Sequence, residues 1–278
     1  MRRCTMSGGG GERNVQELFS LTGKCALITG ATGYLGAAMA AALAEAGARV
    51  IVSSRRLADA DAAAQRLPRV DVETSHHGVQ IDHMDEQSIQ SGFAHALALA
   101  GGRIDVLINN GHEASGSDWR EVSADEFNRH LKNATGYFLL SRLLRDHTVA
   151  RGPAARGSIV IVGSMYGLVG SYPDAYEGIM PASPVAYHTL KGGLVQLTRH
   201  LAVYWAKDGV RVNCLSPGPF PDARSVPPAL LERLSGKSPM GRIGRPEELK
   251  GAVVFLASDA SSYATGQNLV IDGGWTAW

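Results

Sequence analysis

The chain has 278 residues, of which 45% are hydrophobic, and its 27 basic and 26 acidic side chains give a net charge of +1. This length and composition are enough for one α/β domain with a large core. The balanced charge, without an extended run of one sign, excludes the footprint of a nucleic-acid or membrane-surface binder and favours a small-molecule partner. Cys4, Cys25 and Cys214 are too few and too widely spaced for a disulfide framework or a zinc site, which favours a reducing cytoplasm.

The first residues differ in composition from the rest of the chain. A glycine run occupies residues 7–11, and no apolar segment of a secretory signal follows the two N-terminal arginines. We therefore expect residues 1–20 to be a flexible tail and residues 21–278 to form one domain. The longest apolar stretch, Ala37–Val52, is interrupted by charged residues and glycine, so no membrane span is predicted.

Short apolar runs alternate with segments of helical spacing along the chain. The predicted strands are Cys25–Thr29, Arg49–Ser53, Val79–Ile81, Val106–Ile108, Ser158–Val162, Arg211–Leu215 and Asn268–Ile271. The predicted helices are Tyr34–Ala46, Asp85–Ala100, Ala124–Val149, Pro184–Lys207 and Glu247–Ala257. Strands that alternate with helices imply a parallel sheet covered on both faces, so the predicted fold is a single doubly wound α/β domain of the Rossmann type.

A glycine-rich segment follows the first predicted strand and opens an alanine-rich helix. Glycine lets the backbone approach a pyrophosphate, and the N-terminus of the following helix offers free N–H groups and the positive end of the helix dipole. Its place in the first strand–turn–helix unit favours a dinucleotide site over a tight turn without a ligand. The predicted contacts come from Gly30, Thr32, Gly33, Tyr34, Leu35 and Gly36.

The residues after the second strand indicate which dinucleotide binds. A carboxylate at this place would accept hydrogen bonds from the adenosine ribose, whereas this chain has Ser54 and Arg55. A hydroxyl and a guanidinium suit a 2′-phosphate, so NADP(H) is favoured, with NAD(H) as the alternative. Arg55 could instead belong to a solvated helix entry. Asp82, after the third strand, is predicted either to accept from the adenine amino group or to serve as a turn or cap residue.

Further motifs occur in a fixed order along the chain. They are Asn109-Asn110-Gly111, Asn133, Ser164, Tyr187 with Lys191, Pro217-Gly218 and the ending Asp272-Gly273-Gly274. Together with the glycine segment, they resemble the short-chain dehydrogenase/reductase family in its compact single-domain branch, from Leu21 to the C-terminus. The resemblance implies an enzyme that transfers hydride between NADP(H) and a small carbonyl or alcohol.

Tyr187 and Lys191 carry the expected chemistry. Their separation by four positions in a helical stretch places them on one face. A phenol is a poor base at neutral pH, and a nearby ammonium favours its ionised form. Tyr187 could then act as a general acid in reduction and as a base in oxidation. The resemblance adds that Lys191 also binds the nicotinamide ribose.

The resemblance assigns roles to further residues. Ser164 would hold the substrate oxygen, or else cap a turn. Asn133 would anchor a water connected to the lysine, or else be a packed amide, and an asparagine inside a helix is otherwise unfavourable. The remaining predicted cofactor contacts are Asn109 beside the cofactor and Pro217, Gly218 and Phe220 near the nicotinamide.

Several residues depart from the family pattern. Gly33 is followed by Tyr34, a spacing more like that of the family's extended members. His112 replaces the glycine that usually follows the asparagines, and Asp222 stands where a threonine often contacts the carboxamide. Leu190 replaces the serine usual before the lysine. These departures affect the nicotinamide contacts most.

The nine histidines show no metal-ligand spacing, so solvated or turn positions are expected for His76, His77, His83 and His112. His112 and His188 are candidates for the substrate pocket.

The leading function is an oxidoreductase. The alternatives are a dinucleotide sensor without turnover and an epimerase or dehydratase that uses transient oxidation.

The substrate is predicted to be polar or sugar-derived, since hydroxyl groups need hydrogen-bonding partners when they are desolvated. The polar residues that suggest this are His112, Glu113, Asp174, Tyr176 and Glu177. The resemblance further implies a homodimer or homotetramer, and two tryptophans at the C-terminus are expected to be exposed on a monomer.

Ser164 and Tyr187 lie 23 residues apart, farther than in compact members of the family. The extra length falls at 167–184, which is rich in glycine and proline and lacks regular periodicity. We therefore expect an irregular loop that covers the substrate opening. The alternative is a surface excursion that contacts only a neighbouring subunit.

Overall fold

The computed structural model describes residues 12–71, 74–114 and 116–278, and its strands form one seven-stranded sheet. Every neighbouring pair is parallel, in the order β3-β2-β1-β4-β5-β6-β7. The bounds are β1 Cys25–Thr29, β2 Arg49–Ser54, β3 His77–Gln80, β4 Val106–Asn109, β5 Gly157–Val162, β6 Val210–Pro217 and β7 Asn268–Ile271. The predicted doubly wound fold is confirmed.

Helices cover both faces of the sheet, and the central strands are therefore buried along their whole length, as β1 and β5 are. One face carries α2 Tyr34–Glu45, α3 Leu57–Gln65 and α9 Lys250–Ala257, and the other carries α4 Glu86–Leu99, α5 Ala124–Ala150 and α7 Val185–Trp205. The strand order reverses between β1 and β4. A crevice opens at this point, at the carboxyl ends of the strands, where open α/β sheets bind their ligands.

Besides two short helices of four or five residues described below, the sequence patterns missed two longer ones. Helix α3 contains two aspartates among its alanines and gives only a weak apolar period, whereas α8 (Pro228–Lys237) is amphipathic but short and follows a proline-rich stretch typical of a loop. The last helix, α9, begins later than the predicted Glu247, because Pro246–Leu249 forms a 3₁₀ turn ahead of it. The third strand starts earlier than predicted, at His77.

The expected tail is only partly described, since residues 1–11 lie outside the described part of the chain. Its described end contains a short helix, α1 (Val15–Phe19), with a capping box between Asn14 and Glu17. Arg13 forms a 2.6 Å ion pair with Asp259. The last part of the expected tail is therefore attached to the domain.

The segment 167–184 is not wholly irregular, because Pro173–Tyr176 forms a short helix, α6, that starts with proline at its first position. Ala175 on this helix is fully buried in a cluster with Leu230 and Leu234 of α8. The segment thus packs against its own chain, and the alternative of a contact with a neighbouring subunit alone is wrong. Trp275 belongs to the same cluster and is 1% exposed.

Among the described residues, no helix combines the length and apolar character that spanning a membrane requires.

Helix α5 approaches the turn after β3 closely at Gly136. A Cβ atom there would lie 2.0 Å from the carbonyl oxygen of His83. Gly136→Ala should therefore lower the free energy of unfolding by about 2 kcal/mol or more, as overpacking in a close contact does. Gly236→Ala is the matched control, because a Cβ in α8 meets nothing within 4 Å and should stabilise the helix by about 0.5–1 kcal/mol. Urea unfolding measures both, and equal stabilities would contradict the close approach.

Candidate active site

A glycine turn joins β1 to α2 at the carboxyl edge of the sheet. Gly30 has φ +64°, and a Cβ there would lie 2.6 Å from the Cα of Gly111. At Gly36 a Cβ would lie 2.2 Å from the carbonyl oxygen of Gly30. Gly33 caps α2 without a side-chain hydrogen bond, so the first N–H groups of the helix have no side-chain acceptor there. This backbone concavity fits a pyrophosphate.

The turn is fixed by hydrogen bonds from the end of β4. The Thr29 hydroxyl accepts the N–H of Asn110 at 2.9 Å and that of Gly111 at 2.8 Å. The Asn110 amide donates to the carbonyls of Thr29 and Gly30 at 3.0 and 3.1 Å. Thr29 and Asn110 therefore lock the two loops that flank the crevice, a role that the sequence patterns did not reveal.

A groove of about 850 Å³ runs along these loops. It brings together nearly all residues predicted to bind the dinucleotide near its adenosine and pyrophosphate ends, namely Gly30, Thr32, Gly33, Tyr34, Leu35, Gly36, Ser54 and Arg55. Phe220, predicted near the nicotinamide, also borders this groove. Arg56 also borders the groove but is paired with Asp59 at 2.6 Å.

Two predicted cofactor residues, Asn109 and Asp82, line neither this groove nor the cavity that continues from it. The buried Asn109 amide donates to the Ser141 hydroxyl of α5 at 2.9 Å, and its neighbour Asn110 faces the groove instead. Asp82 accepts the N–H of Met84 at 2.9 Å, so it serves as the turn residue that the sequence allowed.

A second cavity of about 300 Å³ continues from the groove. Its walls contain Ser164, Tyr187, Lys191, Pro217 and Gly218. Most of the predicted catalytic and nicotinamide-binding residues therefore lie together in this cavity. The groove and this catalytic cleft also share four wall residues: Leu35, Asn110, His112 and Phe220. A dinucleotide in the groove would thus reach the predicted acid/base.

Lys191 is 4% exposed, and its ammonium donates to the carbonyl of Val162 at 2.9 Å. Burial lowers the pKa of Lys191 to about 8. The ammonium lies 5.4 Å from the centroid of the Tyr187 ring. It therefore faces the ring rather than bonding the hydroxyl.

The protonation state of Tyr187 differs from the expectation that a nearby ammonium favours the ionised phenol. Burial raises its pKa, and the hydrogen bond with Ser164 offsets only part of this effect. The phenol therefore keeps its proton at neutral pH. Ser164 also accepts the N–H of Tyr166 at 3.1 Å, so its hydroxyl both caps the following turn and meets Tyr187.

Asn133 is fully buried beneath the cleft, and all of its hydrogen-bonding groups are used. Its carbonyl oxygen accepts from the N–H of Glu113 and from His83 Nε2, each at 2.8 Å. Its amide donates to the carbonyls of His130 and Glu113 at 2.7 and 3.1 Å. Asn133 thus ties α5 to the loop after β4.

Three histidines, His83, His112 and His130, lie around this site. His83 stands in the turn after β3, one of the two kinds of position expected, but it is 8% exposed and bonds Asn133 instead of solvent. His76 lies elsewhere, beside the amino end of β2, where it is buried and its Nδ1 accepts the N–H of Val50 at 3.1 Å. His112 and His130 pack on Tyr187, with ring centroids at 5.5 and 6.2 Å. His130 gave no sequence signal, because a single histidine in a helix is most often a packed or solvated residue.

His188 lies beside the site rather than in the cleft wall. Its ring stacks on Tyr166 with centroids 4.5 Å apart, and Nε2 shares a 3.1 Å hydrogen bond with Ser183. Among the described residues, no group of three potential ligands is arranged to hold a metal ion.

A doubly wound sheet whose strand order reverses at such a groove is typical of dinucleotide-dependent enzymes. A family model described as "Enoyl-(Acyl carrier protein) reductase" matches residues 30–276. The chain belongs to the short-chain dehydrogenase/reductase family, and it is an oxidoreductase.

Individual relatives cover nearly the whole chain. Galactitol 2-dehydrogenase (L-tagatose-forming) of Cereibacter sphaeroides is 36% identical over 95% of this chain and 99% of the relative. NADP-dependent mannitol dehydrogenase of Hypocrea jecorina is 34% identical over 94% of this chain and 95% of the relative. The structure of a gluconate 5-dehydrogenase from Burkholderia cenocepacia in complex with NADP and tartrate superposes with TM-score 0.84 at 29% identity, over 95% of this chain and all of that one.

The Thr29 hydroxyl can be tested by isosteric replacement. Thr29→Val keeps the shape but leaves the N–H groups of Asn110 and Gly111 without an acceptor, so we expect a loss of about 2–4 kcal/mol in the free energy of unfolding. Thr29→Ser keeps the hydroxyl and should recover most of this loss. Chemical unfolding compares the three proteins, and a serine variant as unstable as the valine variant would contradict the proposed clamp.

Proposed function

We propose that the protein is an NADP(H)-dependent oxidoreductase that interconverts a carbonyl and an alcohol, with Tyr187 as the general acid/base. The observation that carries this proposal is the convergence of Ser164, Tyr187 and Lys191 in one cleft that continues into the dinucleotide groove. The complete set of polar groups argues for turnover rather than for sensing alone.

When bound, the dinucleotide supplies or accepts the hydride at the reacting carbon. In the reductive direction, Tyr187 donates its proton to the carbonyl oxygen, and the Ser164 hydroxyl holds that oxygen by a hydrogen bond. The raised pKa of Tyr187 suits this acid role, because the phenol carries the proton at neutral pH. In the oxidative direction, Tyr187 takes the proton back from the alcohol.

Lys191 keeps a positive charge beside the phenol without bonding its oxygen directly. This charge favours the phenolate that remains after the proton has been donated. Asn133 acts at a distance, since its hydrogen bonds to Glu113 and His83 hold the cleft wall in place.

Ser54 and Arg55 support NADP(H) as the preferred cofactor. Both border the end of the groove beyond β2, where no carboxylate follows directly, and Arg56 is already paired with Asp59. A guanidinium can bind a 2′-phosphate through charge-assisted hydrogen bonds. The NADP complex of the Burkholderia relative and the NADP-dependent mannitol dehydrogenase agree with this choice, and NAD(H) is the alternative.

The similarity to galactitol and mannitol dehydrogenases favours a sugar or polyol as the substrate of this protein. Three of the polar side chains expected to meet such a substrate already have protein partners. Asp174 pairs with Lys237 at 2.5 Å, Glu113 pairs with Arg129 at 2.6 Å, and the Tyr176 hydroxyl bonds that of Tyr166. These side chains are therefore already engaged by other groups of the protein.

Assembly into a homodimer or homotetramer is also part of the proposal. The sequence predicted that both C-terminal tryptophans are exposed on a monomer. This prediction is wrong for Trp275, which is buried, whereas Trp278 is 70% exposed. Val203 and Tyr204, 78% and 68% exposed on α7, supply an apolar surface for such an interface. The buried free thiols of Cys25 and Cys214 fit the proposed cytoplasmic location.

Tyr187→Phe removes the acid/base and keeps the ring that packs on His112. Loss of a positioned acid/base costs about 10²- to 10⁴-fold in rate, so carbonyl reduction with NADPH should fall by that factor. NADPH affinity and thermal stability should change little, which fluorescence titration and calorimetry would verify. Turnover within a few-fold of the parent enzyme would rule out the proposed role.

Arg55→Ala tests the choice of cofactor. Loss of a charge-assisted contact should weaken NADPH binding by about 10- to 100-fold and leave NADH binding nearly unchanged. Arg56→Ala is the matched control, since the Arg56 side chain is engaged by Asp59 and its loss should affect NADPH much less. Equal losses for NADPH and NADH would show that Arg55 does not recognise the 2′-phosphate.

A further inference from the structure

A further cavity lies at the edge of the sheet opposite to the active site. Its walls include residues that begin or precede β1, β4, β5 and β6, namely Lys24, Asp105, Gly157 and Val210. Its volume is about 830 Å³, close to that of the dinucleotide groove and within the range of small-molecule sites. The groove and the catalytic cleft lie at the carboxyl ends of the same strands, so the sheet separates this cavity from them.

The walls of this cavity carry an excess of positive charge. Among the described residues they hold two carboxylates, Asp105 and Asp259, against six cationic side chains. This excess of four compares with a net charge of +1 for the whole chain. We call the site the basic cavity, and its cations are Arg13, Lys24, Arg103, Arg151, Arg156 and Arg211. Because they come from several segments of the chain, no basic run in the sequence revealed them.

Each of the two carboxylates is shared between two cations. Asp259 pairs with Arg13 and with Lys24, both at 2.6 Å. Asp105 is likewise shared by two arginines, at 2.8 and 3.1 Å. One carboxylate balances one unit of charge, so each of these groups keeps a cation without a counter-ion.

The remaining two cations, Arg156 and Arg211, form no ion pair with any described carboxylate. Arg211 donates to three backbone carbonyls around the end of α9, so part of its role is to cap that helix. Arg156 is exposed and donates to two carbonyls of its own turn, which belong to no helix. The ends of α5 and α9 contribute about half a negative charge each, which leaves the cavity clearly positive.

An aromatic ring stands at the rim of the basic cavity. Tyr263 is fully exposed, although it is one of the residues that line the cavity. An exposed ring beside guanidinium groups offers a stacking surface to a nucleobase.

We propose that the basic cavity binds a chain of two or three phosphate groups, with Arg103 and Arg156 among its contacts. A guanidinium binds phosphate oxygens through two parallel, charge-assisted hydrogen bonds. A triphosphate carries about four negative charges near neutral pH, which matches the excess in the walls better than a single carboxylate does. Inorganic triphosphate and a nucleoside triphosphate share this chemistry, and the nucleoside would place its base on Tyr263. The inference does not depend on the proposed function.

The test is isothermal titration calorimetry with inorganic triphosphate in a buffer free of divalent cations. The parent protein should bind one triphosphate per chain. NADPH at a concentration that saturates the dinucleotide groove should not displace it, because the two sites lie at opposite edges of the sheet.

Arg156→Gln removes an exposed charge without a helix to cap, so the fold should be kept, which thermal unfolding without ligand would verify. Loss of a charge-assisted contact should weaken triphosphate binding by about tenfold or more. Arg103→Gln should act similarly, since Asp105 keeps its pair with Arg151. Arg66→Gln is the matched control, because Arg66 is exposed at the end of α3 and lies outside the cavity walls, and it should change the affinity less than about twofold.

A comparison with GTP identifies the source of the phosphate chain. Stacking of the base should make GTP bind about fivefold or more tightly than inorganic triphosphate. Tyr263→Ala should remove this gain and leave the affinity for inorganic triphosphate unchanged. Equal affinities of the parent protein for both would support the proposed phosphate site with an inorganic chain as its ligand.

Four results would overturn the inference. The first is the absence of saturable triphosphate binding, and the second is its displacement by NADPH, which would place the probe in the dinucleotide groove. The third is an equal loss in Arg66→Gln and Arg156→Gln, which would show a diffuse effect of surface charge. The fourth is tighter binding of a hexa-aspartate peptide than of triphosphate, which would assign the cavity to an acidic protein segment.

Discussion

The hydroxyl of Thr29 connects the carboxyl ends of β1 and β4 at the point where the strand order reverses. By accepting two backbone N–H groups, it fixes the glycine turn against the loop that carries His112. A parallel sheet buries its strands and exposes useful backbone and side-chain groups only at its ends. The dinucleotide groove and the catalytic cleft both depend on how these two loops are held together.

A second constraint is the burial of polar groups around the Tyr187 phenol. Burial holds Tyr187 in its protonated form and keeps His112 and His130 neutral, while the Lys191 ammonium is stabilised by a backbone carbonyl. The site therefore carries one buried cation among neutral donors and acceptors.

The insertion between Ser164 and Tyr187 shows how the fold extends this site. Its helix α6 is held to α8 by the Lys237–Asp174 ion pair and by two hydrogen bonds from Arg233 to backbone carbonyls. Buried Trp275 packs beside it, against Tyr166 and Tyr172. The C-terminus, α8 and the insertion thus form one apolar cluster next to Tyr187, where an irregular loop was expected.

The sequence by itself determined the sheet, its alternation with helices, the glycine turn and the order of Ser164, Tyr187 and Lys191. These features depend on local periodicity and on short spacings, which a sequence displays directly. Only the tertiary structure decided that Asn110 rather than Asn109 faces the groove, that Trp275 is buried and that His112 meets His130. Such contacts join residues far apart in the chain, and no local pattern records them.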